Sequence, residues 1–197
     1  MNIEQILADH KAWLDTSNTG KRAYLRGADL SNADLRDADL RDADLCRANL
    51  RCANLNNANL SGADLCRVNL RSAYLSNANL SGADLSCADL RGANLSGADL
   101  SNTYLCHADL CRVNLSNADL SGVRLNYCMG NSTQIKTIQT AAYTITYTAT
   151  DMAIGCQQHS IEKWFKFSDA EIASMAIGAL EWWKKWKPIL KLILEVE

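Results

Sequence analysis

Twenty-one leucines recur at an unbroken five-residue spacing from Leu25 to Leu125, and the residue two places before each is small: 17 Ala, three Val and Thr103. A helix advances about 100° per residue, so a five-residue step turns successive leucines by roughly 140° and scatters them around every face. In one continuous strand alternate residues face opposite ways, and an odd period sends Leu30 up and Leu35 down. The leucines all stay inside only if the chain turns a corner once per repeat and stacks the resulting coils, which predicts a solenoid.

The remaining positions of the repeat agree. The residue before each leucine is Asp ten times and Asn seven times, and the one after it is mostly Ser, Arg or Cys, so both read as outward positions. The second residue after leucine is Gly at 27, 62, 82, 92, 97 and 122 and Asn at 32, 57, 77, 102 and 117. Gly and Asn tolerate the left-handed backbone that tight corners demand.

Ala-Asp-Leu-Ser-Asn, Ala-Asn-Leu-Ser-Gly and their neighbours resemble the pentapeptide-repeat family, with its A-(D/N)-L-x-x motif, over residues 21 to 127. The resemblance implies a mainly β fold, a right-handed, four-sided β-helix with four repeats per coil and the leucine and the small residue inside. The period alone fixes neither the handedness nor the number of sides. With about 4.8 Å between stacked strands, some five coils make a rod on the order of 25 Å tall. Each buried leucine contributes roughly 1.5 to 3 kcal/mol before chain entropy is subtracted.

A solenoid ends in unpaired strand edges and an open core, so it needs caps. Residues 1–20 supply one. Ile3, Ile6, Leu7, His10 and Leu14 share a face of a helix, with Trp13 beside them, and His10 and Trp13 read as packing residues. Residues 128–197 form a C-terminal α+β module in which the five-residue pattern has stopped. Tyr143, Ile145, Tyr147 and Ala149 alternate with threonines, which predicts a strand with one buried face. Ile135 and Ile138 suggest an extended segment before it, and Met152 to Cys156 a returning partner strand. Ser168 and Glu171 form a capping-box signature that opens a helix running through Ile172 and Met175 to Trp182, with Pro188 marking a kink or a new start.

Composition narrows the function classes. The 20 basic residues against 22 acidic ones argue against a general attraction to nucleic acid. The start of the chain lacks a basic, apolar leader, and no run of eighteen apolar residues occurs, so the expectation is a cytoplasmic protein outside the membrane. Eight cysteines without C-x-x-C pairing fit reduced thiols. On four-sided coils Cys46 stacks over Cys66, where Cys stands in for Ser on a permissive corner.

One local constellation has chemical potential. Cys156, His159 and Glu162 follow at three-residue steps, so a turn or short helix would gather thiol, imidazole and carboxylate as a metal or small-molecule site; the alternative is a helix start held by His159 and Ser160. This segment resembles the tail module attached to some phage and prophage pentapeptide-repeat proteins. The final stretch carries Trp182, Trp183, Trp186, Ile189, Leu190 and Ile193 among lysines. It reads as packing on the module's own strands, as the interface of a homodimer, or as a basic amphipathic helix on a membrane.

Function then falls to the outer faces. In four-sided stacking, two adjacent sides carry eight arginines against six aspartates, and the other two carry six aspartates against two arginines. Arg51, Arg71 and Arg91 form a vertical ladder, with Arg47, Arg67 and Arg112 nearby, as candidate partner-binding residues. The resemblance also implies a runner-up, a DNA-mimic rod acting on DNA gyrase or topoisomerase IV, but a mimic needs dense negative charge and the arginine ladder departs from that. The sequence therefore reads as a non-enzymatic, protein-binding β-helix of unknown partner, with no cofactor implied.

Overall fold

A computed structural model of the protein describes residues 2–16, 19–131 and 133–195. The repeat forms a continuous stack of coils. Every short parallel bridge, from Tyr24↔Asp44 to Asp109↔Met129, joins a residue to the one twenty places on. Twenty residues are four repeats, so each coil has four sides and one corner per repeat. The interior is the leucines with the small residue two places before them, buried from Ala23 to Leu125 except for Ala28, Ala33, Ala38, Ala118 and Leu120, which are partly buried. Thr103, the one polar residue at the small position, meets its need by donating from Oγ1 to the Leu80 carbonyl at 2.8 Å.

Two features make each corner. The second residue after leucine has positive φ throughout the array, including Arg47 at 61°, Arg67 at 58°, Cys52 at 57° and His107 at 59°. Gly and Asn were the readable signal for this conformation, but the coil imposes it on other residue types as well. The Asp or Asn before the leucine then accepts the backbone N–H two residues on, as Asp44 does from Cys46 at 3.1 Å and Asn69 from Arg71 at 3.2 Å. The near-invariance of Asp and Asn at this outward position thus has a structural cause, an Asx turn that caps each corner. Where Tyr74 replaces it, the Ser76 N–H is taken instead by Asn56 Oδ1 from the coil below, at 2.9 Å.

Helix α1, Ile3–Thr16, lies across the first coil. Ile3, Ile6 and Leu7 pack on the rod core, and His10 is fully buried. At the other end Ile135 enters the rod core, and an antiparallel sheet follows in the order β1 (Lys136–Gln139), β2 (Thr144–Tyr147), β3 (Asp151–Ile154), β4 (Gln157–Ser160). Register aligns Thr137, Thr146, Ala153 and Gln158 across one face. This face meets the rod. The Thr137 and Thr146 hydroxyls donate to the Cys128 carbonyl, and Gln158 accepts the Leu125 N–H at 2.9 Å while donating to the Val123 carbonyl. Side chains thereby complete an edge that a further coil would otherwise pair.

The opposite face, with Ile145, Tyr147, Met152 and Ile154, packs on α2 (Ile161–Lys166), α3 (Asp169–Met175) and α4 (Ala179–Leu194). Three expectations are corrected here. Strand β2 is covered on both faces, since Thr146 is as buried as Ile145, because one face serves the rod and the other the helices. The Ser168–Glu171 capping box opens a helix, but that helix ends at Met175, where the backbone extends at Ala176 and turns left-handed at Gly178. Helix α4 then runs through Pro188 unbroken. Pro188 is exposed, so water can meet the carbonyl that its missing N–H leaves unpaired.

Candidate functional site

The coils place their variable side chains in vertical columns, because each corner hydrogen-bonds to the corner twenty residues on. Cys52 N–H donates to the Arg71 carbonyl and Ser72 N–H to the Arg91 carbonyl, so Arg51, Arg71 and Arg91 stack as a ladder on one corner. Arg112 stands on the adjoining column above Gly92, whose N–H donates to the Cys111 carbonyl. Arg47 and Arg67 stack on the neighbouring corner, both with left-handed backbone. All six side chains are exposed.

Their electrostatic states differ. Arg91 is clamped by Asp89, with Nη2 to Oδ2 at 2.6 Å, and by Asp109 at 3.4 Å. The hydrogen-bonded Arg91 guanidinium holds the Asp89 carboxyl below the ordinary carboxylate range. Among the described residues, no ion pair holds Arg47, Arg51, Arg67, Arg71 or Arg112. On the acidic sides the balance is reversed, since Arg36 pairs with Asp34 at 2.6 Å and Arg41 with Asp39 at 2.7 Å. Arg47, Arg51, Arg67, Arg71 and Arg112, all on the two sides around the ladder, are therefore left for a partner.

Six of the eight cysteines, Cys46, Cys52, Cys66, Cys87, Cys106 and Cys111, line the same two corners. Cys46 is buried and Cys66 half-buried one coil above it, and burial pushes the Cys66 thiol up, with Cys46 adding to the effect. All eight thiols are free. His107, above Cys87, stacks on Tyr127 with ring centroids 5.0 Å apart.

The expected gathering of Cys156, His159 and Glu162 does not occur. Residues 157 to 160 are a strand, not a turn or helix, and Gly155-Cys156 is the tip of the β3–β4 hairpin, with Gly155 at φ 57°. Cys156 is exposed at that tip. His159 projects to the helix side, edge-on to Trp164 at 5.3 Å and Phe167 at 4.9 Å, where burial lowers its proton affinity, with Lys163 adding to it. Glu162 pairs with Lys166 at the surface of α2. Among the described residues there is no cluster of three or more such groups able to hold a metal ion. The residue between them that sequence reading passed over, Gln158, bridges the tail to the rod; its one sequence signal was a long amide on the strand face opposite His159.

The aromatic stripe divides. Trp183 and Leu190 are buried in the tail's own core, and Trp182 and Trp186 are half-buried and stacked on each other at 5.8 Å. Ile189 and Ile193 face outward together with Leu192, which is 82% exposed. Among the described residues no helix is long and apolar enough to cross a membrane.

The family model for pentapeptide repeats matches in eight copies, over residues 21–51, 48–86 and 88–126. Solved structures that resemble the chain include a pentapeptide repeat protein from the cyanobacterium Cyanothece 51142, 27% identical, covering 63% of this chain and 99% of that one with a TM-score of 0.48. A pentapeptide repeat protein from Nostoc PCC 7120 is 39% identical, covering 52% of this chain and 84% of that one with a TM-score of 0.45. Full-length QnrB1, a plasmid-mediated fluoroquinolone resistance protein, is 24% identical, covering 56% of this chain and 70% of that one with a TM-score of 0.27. No curated protein matches the chain.

Proposed function

The chain belongs to the pentapeptide repeat family, and from that premise we propose that it is a cytoplasmic, non-enzymatic scaffold that binds a protein partner along the arginine-bearing sides of its rod. One observation carries this reading. Most outward Asp and Asn side chains are engaged in capping their own corners, whereas Arg47, Arg51, Arg67, Arg71 and Arg112 project without an ion-pair partner among the described residues. A column of guanidinium groups one strand spacing apart suits the carboxylates of an acidic protein face, which each can meet with two parallel hydrogen bonds. In this reading residues 1–20 and 128–197 are separate capping modules on the rod of residues 21–127, and a second copy covers Ile189, Leu192 and Ile193 on α4.

The test is capture from bacterial lysate by the full chain, with a variant carrying Arg51→Ser, Arg71→Ser and Arg112→Ser beside the wild type. A protein held by the wild type and lost from the variant supports the arginine face. Equal retention by both removes it.

A second reading, a DNA mimic that occupies gyrase or topoisomerase IV, draws on the acidic sides, where Asp99 and Asp119 stack one above the other with no ion pair among the described residues. Its mark in the same experiment is a topoisomerase subunit retained by the arginine variant and lost when Asp99 and Asp119 become Asn.

A further inference from the structure

The tail contains a cavity that neither the rod's binding face nor the cap uses. It lies between the β3–β4 hairpin, the α3–α4 turn and the last coil of the rod, with a volume of about 80 Å³. Its walls are Tyr143, Trp164, Trp182, Trp183, Ile154 and Met175, and no charged residue lines it. Two of the indoles have their polar edges occupied elsewhere, Trp164 Nε1 donating to the Met152 carbonyl at 2.7 Å and Trp182 Nε1 to Thr140 Oγ1 at 3.2 Å. Their ring carbons are therefore what they offer to an occupant.

The cavity is shaped by a glycine. A Cβ at Gly155 would lie 3.2 Å from Tyr143 Cδ1 and 3.5 Å from the Tyr127 hydroxyl, and the positive φ of 57° disfavours any side chain there. Apart from the Tyr143 hydroxyl and the indole N–H groups, the polar lining comes from Cys156, Gln157 and Tyr127 at the hairpin and rod end. An apolar cavity of ~150 Å³ holds a whole benzene ring; this one, at about 80 Å³, is too small for that and has room only for the edge of a ring, the remainder lying outside beside the exposed Cys156 and Ala176.

We infer that this cavity is a binding site for a small, uncharged aromatic molecule, seated edge-first against the tail indoles and reporting its presence at the Cys156 thiol. The absence of lining charge disfavours ions, because a charged ligand would lose its hydration without a counter-charge. Offset or edge-to-face packing of a ring on Trp182, Trp183 and Tyr143 adds to simple burial. The site is independent of the arginine face, and the rod reading stands or falls without it.

The experiment uses the full chain with toluene as the probe and benzoate as the charged control. Contact is read by saturation-transfer NMR, and occupancy by the rate at which iodoacetamide alkylates Cys156, with the exposed Cys87 on the rod as internal reference. Toluene is expected to show transfer and, at about ten times its Kd, to slow Cys156 alkylation about tenfold while leaving Cys87 unchanged; benzoate should do neither. Ala176→Trp, placed where the extended backbone at the mouth accepts a large ring, should abolish both effects, and Cys156→Phe should abolish transfer from the opposite rim. The inference is overturned by no transfer from toluene, by equal transfer from benzoate, or by transfer that survives in folded Ala176→Trp and Cys156→Phe. It is equally overturned if Cys156 becomes protected on raising protein concentration alone, since a second copy then fills the cavity.

Discussion

The imidazole of His10 accepts the backbone N–H of Ala23 at 3.0 Å through Nδ1, and its other nitrogen lies 3.0 Å from the carbonyl of Arg41. Nδ1 can accept only when unprotonated, so the contact fixes a neutral ring whose Nε2–H donates to Arg41. One side chain from α1 thereby pairs two backbone groups on the open edge of the first coil.

Burial lowers the proton affinity of His10 below the ordinary histidine value, outweighing the Arg41 hydrogen bond that raises it. As pH falls below about 6.5 the unfolded chain takes up the proton first. The contribution of His10 is therefore complete above that pH and is lost as pH falls through the depressed folded value. Thermal melts between pH 7.5 and 5 should show this loss for the wild type, and His10→Phe should remove the His10 part of the slope. His10→Phe should also be less stable at pH 7.5 by about 1 to 3 kcal/mol, because the Ala23 and Arg41 groups lose their partner.

Gln158 performs the corresponding task at the far end. Gln158→Leu keeps the volume but orphans the Leu125 N–H and the Val123 carbonyl, at an expected cost of about 1 to 3 kcal/mol. Denaturant unfolding measures the cost, and faster amide exchange at Leu125 locates it. Gln158→Glu should fall between the two, since the carboxylate accepts from Leu125 but cannot donate to Val123.

The corners make a prediction of opposite sign. Arg67 holds a left-handed backbone that costs a side-chain residue about 1 to 2 kcal/mol, against roughly 0.5 to 1 kcal/mol of extra chain entropy for glycine. Arg67→Gly should thus raise stability by up to about 1 kcal/mol. Gly97→Ala should lower it, because the φ of 69° is strained for any side chain and the new Cβ would meet Asn77 Oδ1 on the coil below. Chemical denaturation of both variants checks the pair.

Thiol reactivity should follow the burial pattern. Cys87 and Cys156 are exposed and are expected to label first in the native protein. Cys128, whose thiol burial pushes up to about 12, and buried Cys46 should label only on unfolding. Timed alkylation with peptide mass spectrometry reads all eight. Early labelling of Cys128 would mean that the sheet does not close the rod as described.

The rod was legible because its signal is repeated: twenty-one leucines with small residues before them admit one way of staying buried. The purpose of Asp and Asn before leucine was not legible, since an outward polar residue and an Asx cap have the same sequence pattern until the corner geometry is known. The tail was harder because each signal occurs once. Cys156, His159 and Glu162 have helical spacing, but Gly155 starts a hairpin and sends His159 into an aromatic cluster. The alternating threonines of β2 looked solvent-facing, whereas Thr146 closes the rod. Trp183 and Leu190 looked interchangeable with Ile189 and Ile193 until the sheet claimed one side of α4. The arginine ladder was readable from the twenty-residue stacking, but which arginines are free of aspartate partners required the side-chain positions.

The most direct test of the arginine face is covalent footprinting with phenylglyoxal, which modifies accessible guanidinium groups, on the full chain in buffer and in cleared bacterial lysate. A partner on the proposed surface protects Arg51, Arg71 and Arg112 in lysate while Arg36 and Arg41, on the acidic sides, keep their reactivity. Unchanged modification of Arg51, Arg71 and Arg112, or protection confined to Arg36 and Arg41, would contradict it.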